Sequence, residues 1–254
     1  MEKKRLIYNI LAPVVGCVVF IAVWFIVSAA IGKSIILPSP ADTLSSFFVL
    51  LGEGQFYLAI GRTLGRTLLS FVIAFVLGCV FAFLSVKSEF FKKAFSPVAV
   101  IVRVLPTISI ILLVLIWFRS ATAPYVITFI VIFPMLYTTI LNAAENVDSK
   151  LVEMCQAYHV SKGRQLFCLY IPEMTPAVLT GMSITLSFSV KLTIAAEVLA
   201  STQGSMGRYM SQSSAYIDTP TLLAWTLAAI LLGFMLEGLV LLVKKLLLRR
   251  YHGR

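Results

Sequence analysis

Charged residues are scarce in this chain of 254 residues. They make up 13% of the sequence, whereas about a quarter of a typical soluble domain is charged. Hydrophobic residues account for 59%, and the mean hydropathy is +0.97. These proportions exclude an ordinary soluble protein and predict a polytopic membrane protein. The apolar segments are long and continuous rather than short and alternating, so we expect helices rather than a β-barrel to cross the bilayer.

Metal-binding and redox motifs are also lacking. The four cysteines and two histidines form neither a C-x-x-C pair nor a Cys/His cluster at the spacing of a metal site. Cys17 and Cys79 lie in apolar segments, whereas Cys155 and Cys168 lie in a polar one. We interpret all four as small apolar residues, and no metal site is predicted.

The net charge of +10 raises the question of a nucleic-acid partner. Most of the 21 Lys and Arg residues, however, gather at the ends of apolar segments rather than in one basic patch. Lys and Arg concentrate in this way in the cytoplasmic loops of membrane proteins. We therefore expect a lipid bilayer, and no nucleic acid, as the surroundings of this chain.

The sequence predicts an all-α membrane protein with six transmembrane helices and both termini in the cytoplasm. The expected spans are residues 7–31, 58–86, 95–117, 125–142, 174–200 and 219–243. Pro106 is expected to kink the third span. A turn at residues 38–42 is expected to open a short interfacial helix that ends near Leu51, and residues 201–218 are expected to form a loop.

A long polar segment, residues 144–176, separates the fourth span from the fifth. Its periodicity predicts one helix over 149–158 and a second over about 162–170, which Ser161 would cap. Pro172 and Pro176 are expected to break the chain before the fifth span. Two short helices that meet at a bend would form a lever able to carry motion from a cytoplasmic partner into the membrane. An ordinary solvated loop remains the alternative.

This polar segment resembles the EAA loop of binding-protein-dependent ABC importer permeases. The resemblance rests on Glu153-Met154-Cys155, on His159 six positions after Glu153, and on Ile171-Pro172. The family pattern has two alanines and a glycine where this sequence has Met154, Cys155 and His159. The resemblance implies a coupling loop over residues 144–173. The residues that it assigns to ATPase coupling are Glu153, Ala157, His159, Ser161 and Pro172.

Four other stretches resemble the nitrate/sulfonate/taurine branch of the same family: residues 37–40, 63–66, 103–118 and 196–207. Permeases for thiamine-precursor pyrimidines and riboflavin look similar. The resemblance implies a single permease domain over 1–254, with its core at 58–243, in the cell membrane. It also implies three partners: a second copy of the chain, a dimer of ABC ATPase subunits, and an extracellular or periplasmic substrate-binding protein. ATP and Mg²⁺ would bind to the ATPase, since this chain has no Walker-type loop.

Ionisable residues inside membrane helices are costly, so they usually have a partner or a function. Arg103 and Glu237 lie at similar predicted depths, and we expect them to form an ion pair or each to have a partner there. Lys191, Glu197 and Arg66 are candidates for the translocation path. Lys191 would attract an anionic substrate, pair with Glu197, or extend to the outer interface. For Glu197 the alternative is helix packing at a dimer interface.

The function implied by the resemblance is the membrane subunit of an ATP-driven importer, which performs no bond chemistry. The solute would be anion- or sulfonate-like, or like a thiamine precursor, and the sequence does not decide between them. A stand-alone secondary transporter or channel is the alternative, although it would need ion ligands or a filter within the membrane. A membrane enzyme is disfavoured because no paired carboxylates or Ser/His/Asp set gathers at one depth.

Overall fold

The structure is a computed structural model that describes the backbone of residues 2–252 and the side chains of residues 11–247. Every regular element in that range is helical. The helices are α1 Glu2–Ile31, α2 Pro40–Leu51, α3 Gly54–Lys87, α4 Glu89–Val104, α5 Thr107–Trp117, α6 Ala123–Glu145, α7 Ser149–Ala157, α8 Lys162–Gln165, a π-helical turn Leu166–Tyr170, α9 Ile171–Ala200, α10 Met206–Ala215 and α11 Thr219–His252. The predicted all-α fold is confirmed.

The centre of the molecule is a bundle in which α6 packs against α3 and α9, and α9 packs against α11. Its fully buried side chains are mostly apolar and include Ile127, Ile132, Leu136, Tyr137, Val190 and Met206. Large apolar side chains also cover the outside of the bundle, as expected for helices whose solvent is lipid. We call the end of the bundle that carries α7 the α7 end, and the opposite end the α10 end.

Five described helices are long and apolar enough to cross a membrane, and the number is six if the bent pair α4 and α5 is taken as one span. The two halves of this span meet at an angle of 98°. Pro106, just before α5, provides no backbone N–H and fixes its own φ, so the helix ends there. The expected kink in the third span is therefore corrected to a full break.

The first helix has almost no contact with the rest of its own chain. Of residues 11–31 only Ser28 is buried, and its hydroxyl donates to the carbonyl of Leu37 at 2.9 Å. The indole of Trp24 donates to the carbonyl of Pro38 at 3.0 Å. Both bonds join α1 to the turn that follows it, so the bundle itself leaves this apolar helix uncovered.

The expected short helix after the first span is present as α2. Ser39 and Asp42 form a capping box, in which each side chain accepts from the backbone N–H of the other. The expected loop over 201–218 is wrong in part, because residues 206–215 form α10. Ser205 caps this helix by accepting from the N–H of Arg208 at 3.1 Å.

The fifth span begins earlier than expected. A continuous helical run extends from Lys162 to Ala200, and Pro172 and Pro176 lie inside it rather than breaking it. The π-helical turn Leu166–Tyr170 comes directly before Pro172. Such a turn widens the helix locally and relieves the clash that a proline ring makes with the preceding turn. The predicted break is thus replaced by a local change of helical pitch.

Candidate functional site

The first candidate site is the coupling loop at the α7 end. Asp148 caps α7, since its carboxylate accepts from the backbone N–H of Lys150 at 2.9 Å. Glu153 and Ala157 are exposed, as are the larger apolar side chains of Met154 and Tyr158. Tyr158 is 79% exposed, which is unusual for a tyrosine that follows an ordered helix. The loop therefore presents an apolar surface outside the bundle.

His159 ends α7 in a left-handed conformation, with φ of +52°. Its N–H donates to the carbonyl of Gln156, and the N–H of Val160 donates to the carbonyl of Cys155, both at 2.9 Å. This bond pattern is the Schellman motif, in which glycine is the favoured residue at the left-handed position. The position keeps the backbone geometry of a glycine although the sequence has a histidine.

The other predicted coupling residues differ in their outcome. Ser161 stands at the N-cap of α8, but its side chain makes no capping bond, so this predicted role is wrong. Gln165 stabilises the bend instead, because its side-chain amide donates to the carbonyl of Val160 at 2.8 Å. Pro172 is partly buried behind the π-helical turn.

A cavity of 530 Å³ lies behind α7, between this helix and the ends of α3, α4 and α6. Glu153 and Gln156 line it from α7. Lys92 of α4 forms an ion pair with Glu145 of α6 on the other side. The cavity shows that α7 is held away from the bundle rather than packed tightly on it.

The second candidate site, at the α10 end, is centred on the fully buried carboxylate of Glu197. Arg66, only 9% exposed, donates to it at 2.8 Å, and the Thr63 hydroxyl donates at 2.9 Å. The N–H of Gly207 donates to the same carboxylate at 3.2 Å. A buried carboxylate is stable only with such partners. This cluster of Thr63, Arg66, Glu197 and Gly207 is called the Glu197 cluster.

The Glu197 cluster joins three helices and leaves little free space. Thr63 and Arg66 come from α3, Glu197 from α9 and Gly207 from α10. A Cβ atom at Gly207 would lie 2.5 Å from the Cβ of Glu197 and 2.7 Å from the carbonyl of Ile194. Only glycine permits this approach of α10 to α9.

A second polar layer lies next to the Glu197 cluster. The hydroxyl of Thr193 in α9 lies 3.1 Å from that of Thr67 in α3 and 2.9 Å from that of Thr128 in α6. All three side chains are buried. They extend the polar contact between α3, α6 and α9 toward the middle of the bundle.

Lys191 does not join these groups. Glu197 pairs with Arg66, so the expected alternative of a Lys191–Glu197 pair is wrong. Lys191 is exposed and lines a separate cavity of 490 Å³ between α9, α10 and α11. Glu237 of α11 lines the same cavity.

The expected Arg103–Glu237 ion pair is also absent among the side chains of residues 11–247. Arg103 is exposed in the last turn of α4, before the break at Pro106. Glu237 accepts from the hydroxyl of Ser187 at 3.3 Å instead. The two residues do not meet because α4, which carries Arg103, packs against α3 and α6 rather than against α11, which carries Glu237.

Comparison with known proteins decides the family. Residues 70–251 match the family described as binding-protein-dependent transport system inner membrane component. The chain belongs to this family. The permease is thus a multi-pass protein of the inner membrane.

Relatives of the permease support this family assignment. It is 24% identical to the taurine transport system permease protein TauC of Escherichia coli strain K12, over 91% of this chain and 85% of that one. It is 22% identical to the formylaminopyrimidine transport permease protein ThiX of Halalkalibacterium halodurans, over 90% and 91%. With the nitrate import permease protein NrtB of Synechocystis it shares 25% identity, over 75% and 72%. These relatives are transport permeases rather than enzymes.

Solved structures show the same fold. A bacterial ABC transporter involved in the import of the acidic polysaccharide alginate matches with a TM-score of 0.66, at 14% identity, over 96% of the permease and 97% of that chain. An inward-facing MetNI methionine ABC transporter matches with a TM-score of 0.61, at 19% identity, over 75% and 98%. The permease therefore has the fold of an ABC importer's membrane subunit.

Sequence reasoning missed most of the Glu197 cluster. It proposed Arg66 and Glu197 as separate parts of the translocation path, and it gave no role to Thr63 or Gly207. The residue types contained a usable signal. A carboxylate and a guanidinium at the same end of two apolar helices need each other once both are buried.

Proposed function

We propose that this permease is driven by a separate ABC ATPase, which binds the exposed surface of α7. ATP and Mg²⁺ belong to that ATPase, and the permease carries out no bond chemistry. Two observations support the proposal: α7 projects from the bundle with Met154 and Tyr158 exposed, and a cavity of 530 Å³ separates it from the helices behind. The α7 end would then face the cytoplasm, together with both termini.

The permease would work as a pair of identical subunits. The almost uncovered helix α1 supports this, since a second copy offers it a packing surface. The exposed residues of α9 between 177 and 200 give further support because they fall on one narrow stripe: Ala177, Thr180, Ile184, Phe188, Lys191, Ala195 and Leu199. A lysine facing hydrocarbon at this depth is costly, so the stripe would face a second copy across a path that contains water.

The transport cycle would be alternating access. ATP binding and hydrolysis would move α7, and the continuous run of α8, the π-helical turn and α9 would carry this motion to the stripe. The Glu197 cluster would serve as a fixed joint at the α10 end rather than as part of the path. Lys191 remains in the proposed path, whereas Arg66 and Glu197 are assigned to the joint.

The solute would be a small anion, a sulfonate or a thiamine precursor, which an external binding protein would deliver to the α10 end. The printed names of the relatives support this range, since they include taurine, nitrate and formylaminopyrimidine. The domain assignment stays as expected from the sequence: one permease domain over 1–254, with its core at 58–243 and its coupling loop at 144–173.

Reconstitution tests the proposal. Liposomes would carry the permease alone, the permease with its ATPase, or both with the external binding protein, and uptake of a radiolabelled sulfonate would be measured with and without ATP. We expect uptake only with all three components and ATP. ATP-independent uptake by the permease alone would show a stand-alone transporter or channel instead.

A further inference from the structure

The cavity between α9, α10 and α11 is lined by two charged residues, Lys191 and Glu237, and neither forms an ion pair with a described side chain. Its volume is 490 Å³, within the range of small-molecule sites. Val190, Ile194, Met210 and Phe234 contribute to a mostly apolar wall. The polar lining residues are few: Ser187, Lys191, Thr226 and Glu237.

The two charged residues are offset along the length of α9. The hydroxyl of Ser187 lies 3.3 Å from the Glu237 carboxylate, which places this negative charge at the level of Ser187. Lys191 is four residues further along α9 on the same face, about 6 Å closer to the α10 end. The two groups form no salt bridge with each other, although both line the cavity.

Two separated charges in an apolar cavity select for a ligand that has both signs. An ammonium and a carboxylate removed from water each need an opposite charge nearby. A simple anion would compensate Lys191 but would leave Glu237 repelling it. A neutral heterocycle would compensate neither. A molecule with an anionic group and a cationic group, joined by a short apolar linker, would compensate both.

We propose that this cavity binds a small zwitterion, with its anionic group on Lys191 and its cationic group on Glu237. Ser187 holds the Glu237 carboxylate in place and acts as a positioning residue. The inference rests on the proposed transport function only in taking this zwitterion to be the transported solute. It narrows the solute from anions in general to zwitterions, and it adds Glu237 to the binding residues.

The test is direct binding to the purified complex of permease and ATPase, without the external binding protein. Equilibrium dialysis would use radiolabelled taurine and isethionate, which share a sulfonate and a two-carbon chain and differ by an ammonium in place of a hydroxyl. We expect taurine to bind about ten-fold more tightly or better, as one compensated charge predicts. Equal binding of the two, or no binding of taurine, would overturn the proposal.

Three variants sharpen this result. Glu237→Gln should abolish the preference for taurine while leaving isethionate binding equal or stronger, because only the repelling charge is lost. Lys191→Met should weaken both ligands, and Lys191→Arg should restore much of the binding. Arg103→Met, which removes an exposed charge outside the cavity, is the matched control and should change neither ligand.

Failure here is distinguishable from failure of the proposed function. Co-purification with the ATPase and ATP-dependent uptake of taurine, which is a sulfonate as well as a zwitterion, are expected whether or not Glu237 selects the cationic group. If both are observed and the taurine preference survives Glu237→Gln, the cavity assignment is wrong and the importer function stands. If the ATPase does not co-purify with the permease, the proposed function is wrong, whether or not the permease alone binds taurine.

Discussion

The two ends of the bundle handle polar groups in opposite ways. At the α10 end, Glu197 and Arg66 are buried and bonded to each other. At the α7 end, the coupling loop has no buried residue in α7, and Tyr158 is 79% exposed. The buried ion pair at the α10 end is thus satisfied within the chain, whereas α7 has no buried residue of its own. Under the proposed function, force would enter at α7 while the helices stay joined at the Glu197 cluster.

The same backbone turn makes the comparison sharper. Schellman motifs end α7 at His159, α9 at Ser201 and α10 at Ile217, each with a positive φ. At Ser201 the turn leads into a packed segment, in which Thr202 donates to the carbonyl of Ser120 at 2.7 Å. At His159 and at Ile217 the turn lies in an exposed bend. Burial around the turn, rather than the turn itself, therefore sets Ser201 apart from the other two positions.

The largest expected effect is at the α10 end. Glu197→Leu leaves the Arg66 guanidinium buried without its carboxylate, which should lower the free energy of unfolding by about 3–5 kcal/mol. Thermal unfolding of the detergent-purified permease measures this loss. The double variant Arg66→Met/Glu197→Leu removes both charges and should recover most of the stability. A double variant no more stable than Glu197→Leu would show that the ion pair is not the cause.

Gly207→Ala should have the next largest effect. The added methyl group would press on the Cβ of Glu197 and the backbone of α9, which should cost about 1–3 kcal/mol. Gly238→Ala is the matched control, because a Cβ there meets nothing within 4 Å. Thermal unfolding should therefore separate the two alanines clearly. Equal midpoints would mean that α10 can move away from α9 at little cost.

Glycine at the left-handed positions should stabilise both ends slightly. His159→Gly and Ile217→Gly each remove the side chain from a left-handed backbone position. This backbone conformation costs most residues roughly 1 kcal/mol or more. The gain should be larger for Ile217, whose branched Cβ tolerates this conformation least. Unfolding midpoints would show the order. A loss of stability in His159→Gly would indicate that the imidazole makes a contact worth more than the strain.

The smallest expected effect on stability is at the exposed surface of α7. Tyr158→Ser should change the free energy of unfolding by no more than about 0.5 kcal/mol. It should nevertheless weaken co-purification with the ATPase, because it removes an apolar contact from the proposed docking surface. Tyr216→Ser is the matched control, since Tyr216 is 82% exposed at the opposite end. If both serine variants retain the ATPase equally, α7 does not dock through Tyr158.

Local patterns predicted the elements well. Hydropathy predicted the five continuous spans, and the periodicity of the polar segment predicted the bounds of α7 to within one residue. Two of the wrong predictions concern prolines, whose effect on a helix depends on the residues around them. Pro106 breaks its span completely, whereas Pro172 is absorbed by a π-helical turn. The proline itself is the same in both, so the packing around it decides between a break and a continuous helix.

The sequence indicated that Arg66 and Glu197 would each need a partner, but it did not show that they pair with each other. Arg66 and Glu197 are separated by 131 positions, and nothing in either segment says that α3 and α9 meet at that height. Of the alternatives for Lys191, the structure excludes the pair with Glu197, whose carboxylate binds Arg66 instead. Helix α10 was missed because its Ser- and Gln-rich sequence is polar on average, as in a loop.

The sequence by itself determined that this chain lies in a membrane, which segments are apolar enough to cross it, and which loop resembles a coupling element. Those properties depend on transfer of local segments from water to lipid, which each segment decides alone. Only the tertiary structure decided which charge is compensated and which is left facing a cavity. That outcome depends on the heights and rotations at which separate helices pack, and these are fixed by the whole bundle.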